Sequence, residues 1–113
     1  MQVIISSRNV EIAEGLRSRI DDRFQRLTRF DPRASRVEVT LAEEKNRSIA
    51  EALMSVDGGG PVFAKSEATD ARTAVDRLYD KMSRQLRRAR KRRIDRKAPP
   101  HEAEAWDGGG PGA

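Results

Sequence analysis

Five cations in the second half of the chain share one helical stripe. Arg77, Lys81, Arg84, Arg88 and Lys91 are spaced four, three, four and three residues apart. At 100° per residue they form a narrow row on the order of 21 Å long, at 1.5 Å rise per residue. A row of that length can follow several phosphates along a nucleic-acid backbone. Arg19, Arg23 and Arg26 repeat the pattern on a smaller scale upstream. Both rows flank apolar stripes rather than opposing them. If the two helices lie side by side, their cationic flanks are expected to join into one surface.

A charge run on a helix is ordinarily just a solvated face. The density here argues otherwise. Residues 84–97 hold nine basic side chains against Asp95 alone. Self-repulsion on that scale costs stability, so a polyanionic partner is the simpler explanation. A basic amphipathic helix can also lie on an anionic membrane. This one has a small-residue apolar stripe without Trp or Phe, and that stripe is needed inside the fold.

Other chemistries find little support. The chain has no cysteine and a single histidine, His101. Thiolate sites, disulfides and multi-imidazole metal centres are excluded, and neither a metal nor a cofactor is expected. Asp21-Asp22 and Glu43-Glu44 are sequence neighbours with no nucleophile or histidine beside them, so no enzyme is expected. Gly58-Gly59-Gly60-Pro61 lacks the Gly-Lys-Ser/Thr of a phosphate loop and opens no helix.

The chain is 113 residues long with a net charge of +5, enough for one domain with a thin, mostly aliphatic core. Residues 1–69 balance 11 basic against 11 acidic side chains, whereas residues 70–97 carry 12 against 4. Residues 98–113 are acidic and rich in Gly and Pro, and read as a flexible tail behind a domain of residues 1–97. No apolar run approaches a membrane span, and the opening Met1-Gln2-Val3-Ile4-Ile5 is too short for a signal peptide. A cytoplasmic protein without membrane association is expected.

Periodicity supplies the elements that must hold the cations. Residues 2–7 alternate as a strand. Ile12, Leu16, Ile20, Phe24 and Leu27 mark one face of a helix over roughly 13–29, which Asp31-Pro32 ends. No good N-cap stands near Ala13. Val37, Val39 and Leu41 alternate as a clean strand, and 43–48 reads as a polar loop. Ala52, Met54 and Val56, then Val62, Ala64 and Ser66, read as a hairpin across the glycine turn. Thr69 or Asp70 caps a second helix with apolar positions at Ala74, Val75, Leu78, Met82 and Leu86. The order β-α-β-β-β-α predicts an α+β fold, a four-stranded mixed sheet with two helices on one face. Ile4, Leu53 and Phe63 are then expected on the opposite face, where a cluster would mark a contact surface.

The stretch from Asp70 through Leu86, with its Asp80-Lys81-Met82-Ser83-Arg84-Gln85-Leu86, resembles the second helix of the ribosome hibernation promoting factor and ribosome-associated translation inhibitor family. Asn9-Val10-Glu11-Ile12, Leu16-Arg17 and Arg23-Phe24-Gln25-Arg26-Leu27 resemble its first helix, and Glu44-Lys45 and the Gly-rich hairpin follow in order. Met82 stands where leucine is usual, and Ala13 where threonine is frequent. The resemblance covers roughly residues 1–93 of a short form without a further domain.

It implies the same fold and binding to the small ribosomal subunit, chiefly rRNA, in the channel for mRNA and tRNA anticodons. It implies translation blocked in stationary phase or stress, with no small-molecule substrate, by a protein monomeric when free. By position it implies rRNA contacts from Lys81, Arg84 and Arg88, from Arg17, Arg23 and Arg26, and from Lys45. Arg77 and Lys91 join them on the helical stripe alone, and Arg87, on the outer side of the same helix, is counted with them. The alternatives are a general double-stranded-RNA or nucleic-acid binder and a regulator acting on an acidic protein.

Overall fold

The structure, a computed structural model, describes residues 1–95. The expected flexible tail at 98–113 lies outside the described residues. The elements are β1 (Gln2–Ser7), α1 (Glu14–Gln25), a 3₁₀ turn (Arg26–Arg29), β2 (Ala34–Glu44), β3 (Arg47–Val56), β4 (Val62–Ala68) and α2 (Ala71–Asp95). The sheet order is β1-β2-β3-β4. β1 and β2 are parallel, joined through α1, and β2-β3-β4 is an antiparallel meander.

The alternation of the strands sets what each face carries. Val37, Val39, Leu41, Ala52, Met54, Val56, Val62 and Ala64 are buried beneath the helices. Ile20, Phe24 and Leu27 from the first helical segment and Ala74, Val75, Leu78, Met82 and Leu86 from α2 close over them. α1 packs over β1, and α2 over β3 and β4. Phe24 and Tyr79 meet edge-to-face between the helices, ring centroids 5.7 Å apart. Val3, Ile5 and Leu16 pack against this core but are only half-buried, because β1 is an edge strand and α1 is short.

The helix ends follow their local chemistry. Asp70 caps α2: its carbonyl accepts the Ala74 N–H at 3.1 Å and its carboxylate the Thr73 hydroxyl at 2.9 Å. Ala13 occupies the N-cap of α1 with no side-chain bond, as its methyl group requires. The helix expected to reach residue 29 tightens into the 3₁₀ turn after Gln25.

The polar stretch 43–48 is not a loop. Glu43 pairs with Ser48 and Glu44 with Arg47, and only Lys45 and Asn46 turn the chain, at φ 51° and 63°. Two positive φ values make a type I′ hairpin, whose twist matches the strands it joins. Glu43, Glu44 and Arg47 are exposed and the buried Ser48 is polar, so nothing apolar marks them as strand.

The outer face is ordered as a row: Ile4, Glu38, Leu53 and Phe63 are successive cross-strand partners. Leu53 and Phe63 are exposed neighbours. Ile4 is half-buried and separated from them by Glu38, so the three do not form one cluster.

Candidate nucleic-acid interface

The cationic stripe of α2 lies along the free edge of the sheet. β4 is an edge strand, and three α2 side chains donate to its outward carbonyls. Arg77 Nη1 reaches Glu67 O at 2.9 Å, Lys81 Nζ reaches Lys65 O at 2.7 Å, and Gln85 Nε2 reaches Phe63 O at 3.3 Å. The register is geometric. Four helical residues advance about 6 Å and two strand residues about 6.8 Å, so i, i+4, i+8 on the helix match alternate carbonyls on an oppositely running strand. The row thereby covers an edge that would otherwise offer itself to another strand. Arg77 and Lys81 therefore have a structural task inside the fold while remaining exposed.

Beyond them the stripe is free. Arg84, Arg88 and Lys91 are exposed and, among the described residues, make no ion pair or side-chain hydrogen bond. Residues 84–93 contain seven cations and no acid. Of the seven, Arg93 meets a carboxylate: it pairs with Asp31 at 2.6 Å, where the aspartate side chain is 1% exposed. Asp31 also accepts the Arg33 N–H at 3.0 Å. In the sequence Asp31 reads only as a helix stop. In the fold it ties the last turns of α2 to the loop before β2.

The first-helix row behaves differently. Arg19 and Arg23 both reach Asp76 on α2, at 3.0 and 3.2 Å, and the Arg23 guanidinium lies 4.4 Å from the Tyr79 ring centroid. Arg23 is half-buried in this helix–helix contact. Arg17 and Arg26 are exposed. Asp76 and Tyr79 stand on the flank of α2 turned to α1, whereas Arg77 and Lys81 stand on the flank turned to β4. The two cationic rows are therefore on opposite sides of α2, and the expected joined surface does not form. Lys45 projects from the exposed tip of the β2–β3 hairpin, apart from both rows.

Arg87 completes the set from the α1 side, its guanidinium 5.0 Å from the Phe30 ring centroid. Arg90 donates to the Phe30 carbonyl at 3.2 Å. Sequence reasoning assigned neither Phe30 nor Arg90. The available signal was an aromatic at the end of the first helix in a chain with very few of them.

The arrangement holds cations at fixed spacing along one helix. Among the described residues no group of three His, Cys, Asp or Glu side chains is placed to hold a metal ion. No helix among them is long and apolar enough to cross a membrane.

Known proteins carry the same plan. A ribosome hibernation promoting factor of Salmonella typhimurium is 40% identical over 88 residues, covering 78% of this chain and 92% of that protein. One of Azotobacter vinelandii is 32% identical over 105 residues, covering 93% and 97%. The N-terminal domain of Thermus thermophilus Protein Y superposes with a TM-score of 0.70 at 27% identity, covering 78% of this chain and 98% of that one. A ribosomal subunit interface protein of Coxiella burnetii shares the fold, with a TM-score of 0.75 at 22% identity over 80% and 99%. The Sigma 54 modulation protein / S30EA ribosomal protein family matches residues 3–94, and with it the resemblance read from Asp70–Leu86 and the first helix holds: the chain belongs to this family of ribosome hibernation promoting factors.

Proposed function

We propose that the protein is a ribosome hibernation factor that binds the small ribosomal subunit in the channel for mRNA and tRNA anticodons and blocks translation by occupying it. The observation that carries this reading is the free end of the α2 stripe. Arg84, Arg88 and Lys91 are exposed and, among the described residues, meet no carboxylate; they continue the flank whose first turns are committed to β4, while the opposite flank of the helix is committed to α1. Cations held on a rigid helix meet phosphates at low conformational cost. Such contacts give affinity with little sequence readout, so the shape of the folded body supplies the selectivity. The names of the relatives from Salmonella and Azotobacter support the same reading.

Arg84, Arg88, Lys91 and Arg87 form the leading contact set, with Arg77 and Lys81 contributing the donors their edge bonds leave over. Arg17 and Arg26 offer a second contact on the α1 side and Lys45 a third at the hairpin tip. Arg23, held by Asp76, is demoted to positioning the helices.

The test is co-sedimentation with small subunits in a sucrose gradient, with mRNA and initiator tRNA as competitors and free duplex RNA as a control. Binding that mRNA and tRNA displace and duplex RNA does not is the expected result. Equal displacement by duplex RNA would identify a general nucleic-acid binder instead.

A further inference from the structure

A groove of about 360 Å³ lies between the 3₁₀ turn and the last turns of α2, lined by Arg29, Phe30, Arg87, Arg90, Lys91 and Ile94. Four of these six residues are cations and none is acidic. The other two supply an aromatic ring and an exposed isoleucine. The Phe30 ring is half-buried and carries the Arg87 guanidinium at 5.0 Å. The Arg90 guanidinium is held at the rim through its bond to the Phe30 carbonyl, leaving further N–H donors for an anion.

Phe30 packs in part against the core, so the fold accounts for the buried side of its ring but not for four cations set around the side left open. A solvated helix face does not require an aromatic ring beside it, and an apolar dock does not require four cations that, among the described residues, meet no carboxylate. A ligand matching both is flat, apolar on its faces and anionic at one end. We propose that the groove takes one nucleotide, its base stacked on Phe30 and its phosphate held by Arg29, Arg90 and Lys91. Arg87 is exposed and can lift from the ring to close over the inserted base, giving a ring–base–guanidinium stack. Every base has a π face, so the site is tolerant of sequence.

The nucleotide comes either from an unpaired position in an RNA strand or from the free pool. The first source rests on the ribosomal reading above and adds to it a point where a base, rather than only phosphate, is gripped.

The experiment replaces Phe30 by Trp in a Trp106→Phe background, so that the groove carries the only tryptophan. The expected result is quenching of its fluorescence by single-stranded hexauridylate and none by inorganic triphosphate. Uridine 5′-triphosphate quenching as strongly as the hexamer assigns the site to free nucleotides, and quenching by the hexamer alone assigns it to an RNA strand. Phe30→Leu should weaken hexamer binding at least about fivefold with an unchanged salt slope, while Phe30→Tyr binds like the native chain. Circular dichroism checks that each variant folds.

If inorganic triphosphate displaces the hexamer as well as uridine 5′-triphosphate does, and Phe30→Leu binds like the native chain, the groove is only a cationic surface and the proposal fails. Small-subunit sedimentation separates the two readings. A native chain that binds hexauridylate through Phe30 but not subunits keeps the groove and loses the ribosomal reading. The converse result loses the groove alone.

Discussion

Lys81 donates its ammonium to the backbone carbonyl of Lys65 at 2.7 Å, so one lysine of the α2 stripe closes the free edge of the strand that carries another. Arg77 and Gln85 repeat the contact one turn to either side. The stripe that reads from sequence as a phosphate track thus begins as an edge guard and becomes free only from Arg84 onward.

This division predicts separable phenotypes along one helix. Lys81→Ala should cost about 0.5–1.5 kcal/mol in denaturant melts, the net value of a hydrogen bond. It should also increase concentration-dependent association through the bared β4 edge. Arg84→Ala should leave stability within about 0.5 kcal/mol of the native chain, as for an exposed residue away from such features. Equal stability losses in the two variants would mean that the edge bonds are incidental.

The Asp31–Arg93 pair should be the most sensitive charged contact in the domain. Arg93→Ala leaves a buried carboxylate without its cation, for an expected loss of about 3–5 kcal/mol. Replacing both residues together, Asp31→Asn with Arg93→Met, should recover part of that loss. A single-variant loss below about 1 kcal/mol, read by chemical denaturation, would show that water replaces the guanidinium at no penalty.

Lys45 occupies the left-handed region, where a side chain is strained and glycine is not. Lys45→Gly should therefore keep the hairpin, with stability within about 1 kcal/mol of the native chain. If the tip touches rRNA, the same substitution weakens small-subunit binding. Unchanged binding removes Lys45 from the contact set.

The order of elements was legible because alternation and helical spacing are strong wherever one face is buried, as at Val37–Leu41 and Ala74–Leu86. Residues 43–48 do not read as strand because Glu43 through Arg47 meet solvent on both faces and the one buried side chain, Ser48, is polar, which erases the alternation. The charge row on α2 was legible from spacing alone. Its division of labour was not, because that depends on which flank meets which neighbour. Asp76 turning toward Arg19 and Arg23 withdraws a cation that spacing had assigned to the surface. Asp31 was hidden for a related reason: its partner Arg93 stands 62 residues away in the chain.

Under the proposed function, positioned cations on α2, rather than overall charge, hold the ribosome. The measurement is small-subunit binding across a salt series for Arg84→Ala, Arg88→Ala and Arg36→Ala, with folding checked by circular dichroism. Arg36 is an apt control, since it is exposed on the opposite face of the sheet and paired with Glu38 at 3.2 Å. Each phosphate contact releases condensed counterions, so Arg84→Ala and Arg88→Ala should each lower the magnitude of the salt slope by about 0.7–0.9. Arg36→Ala should leave the slope unchanged. A slope lowered as much by Arg36→Ala as by Arg84→Ala would contradict the account and reduce the α2 stripe to general positive charge.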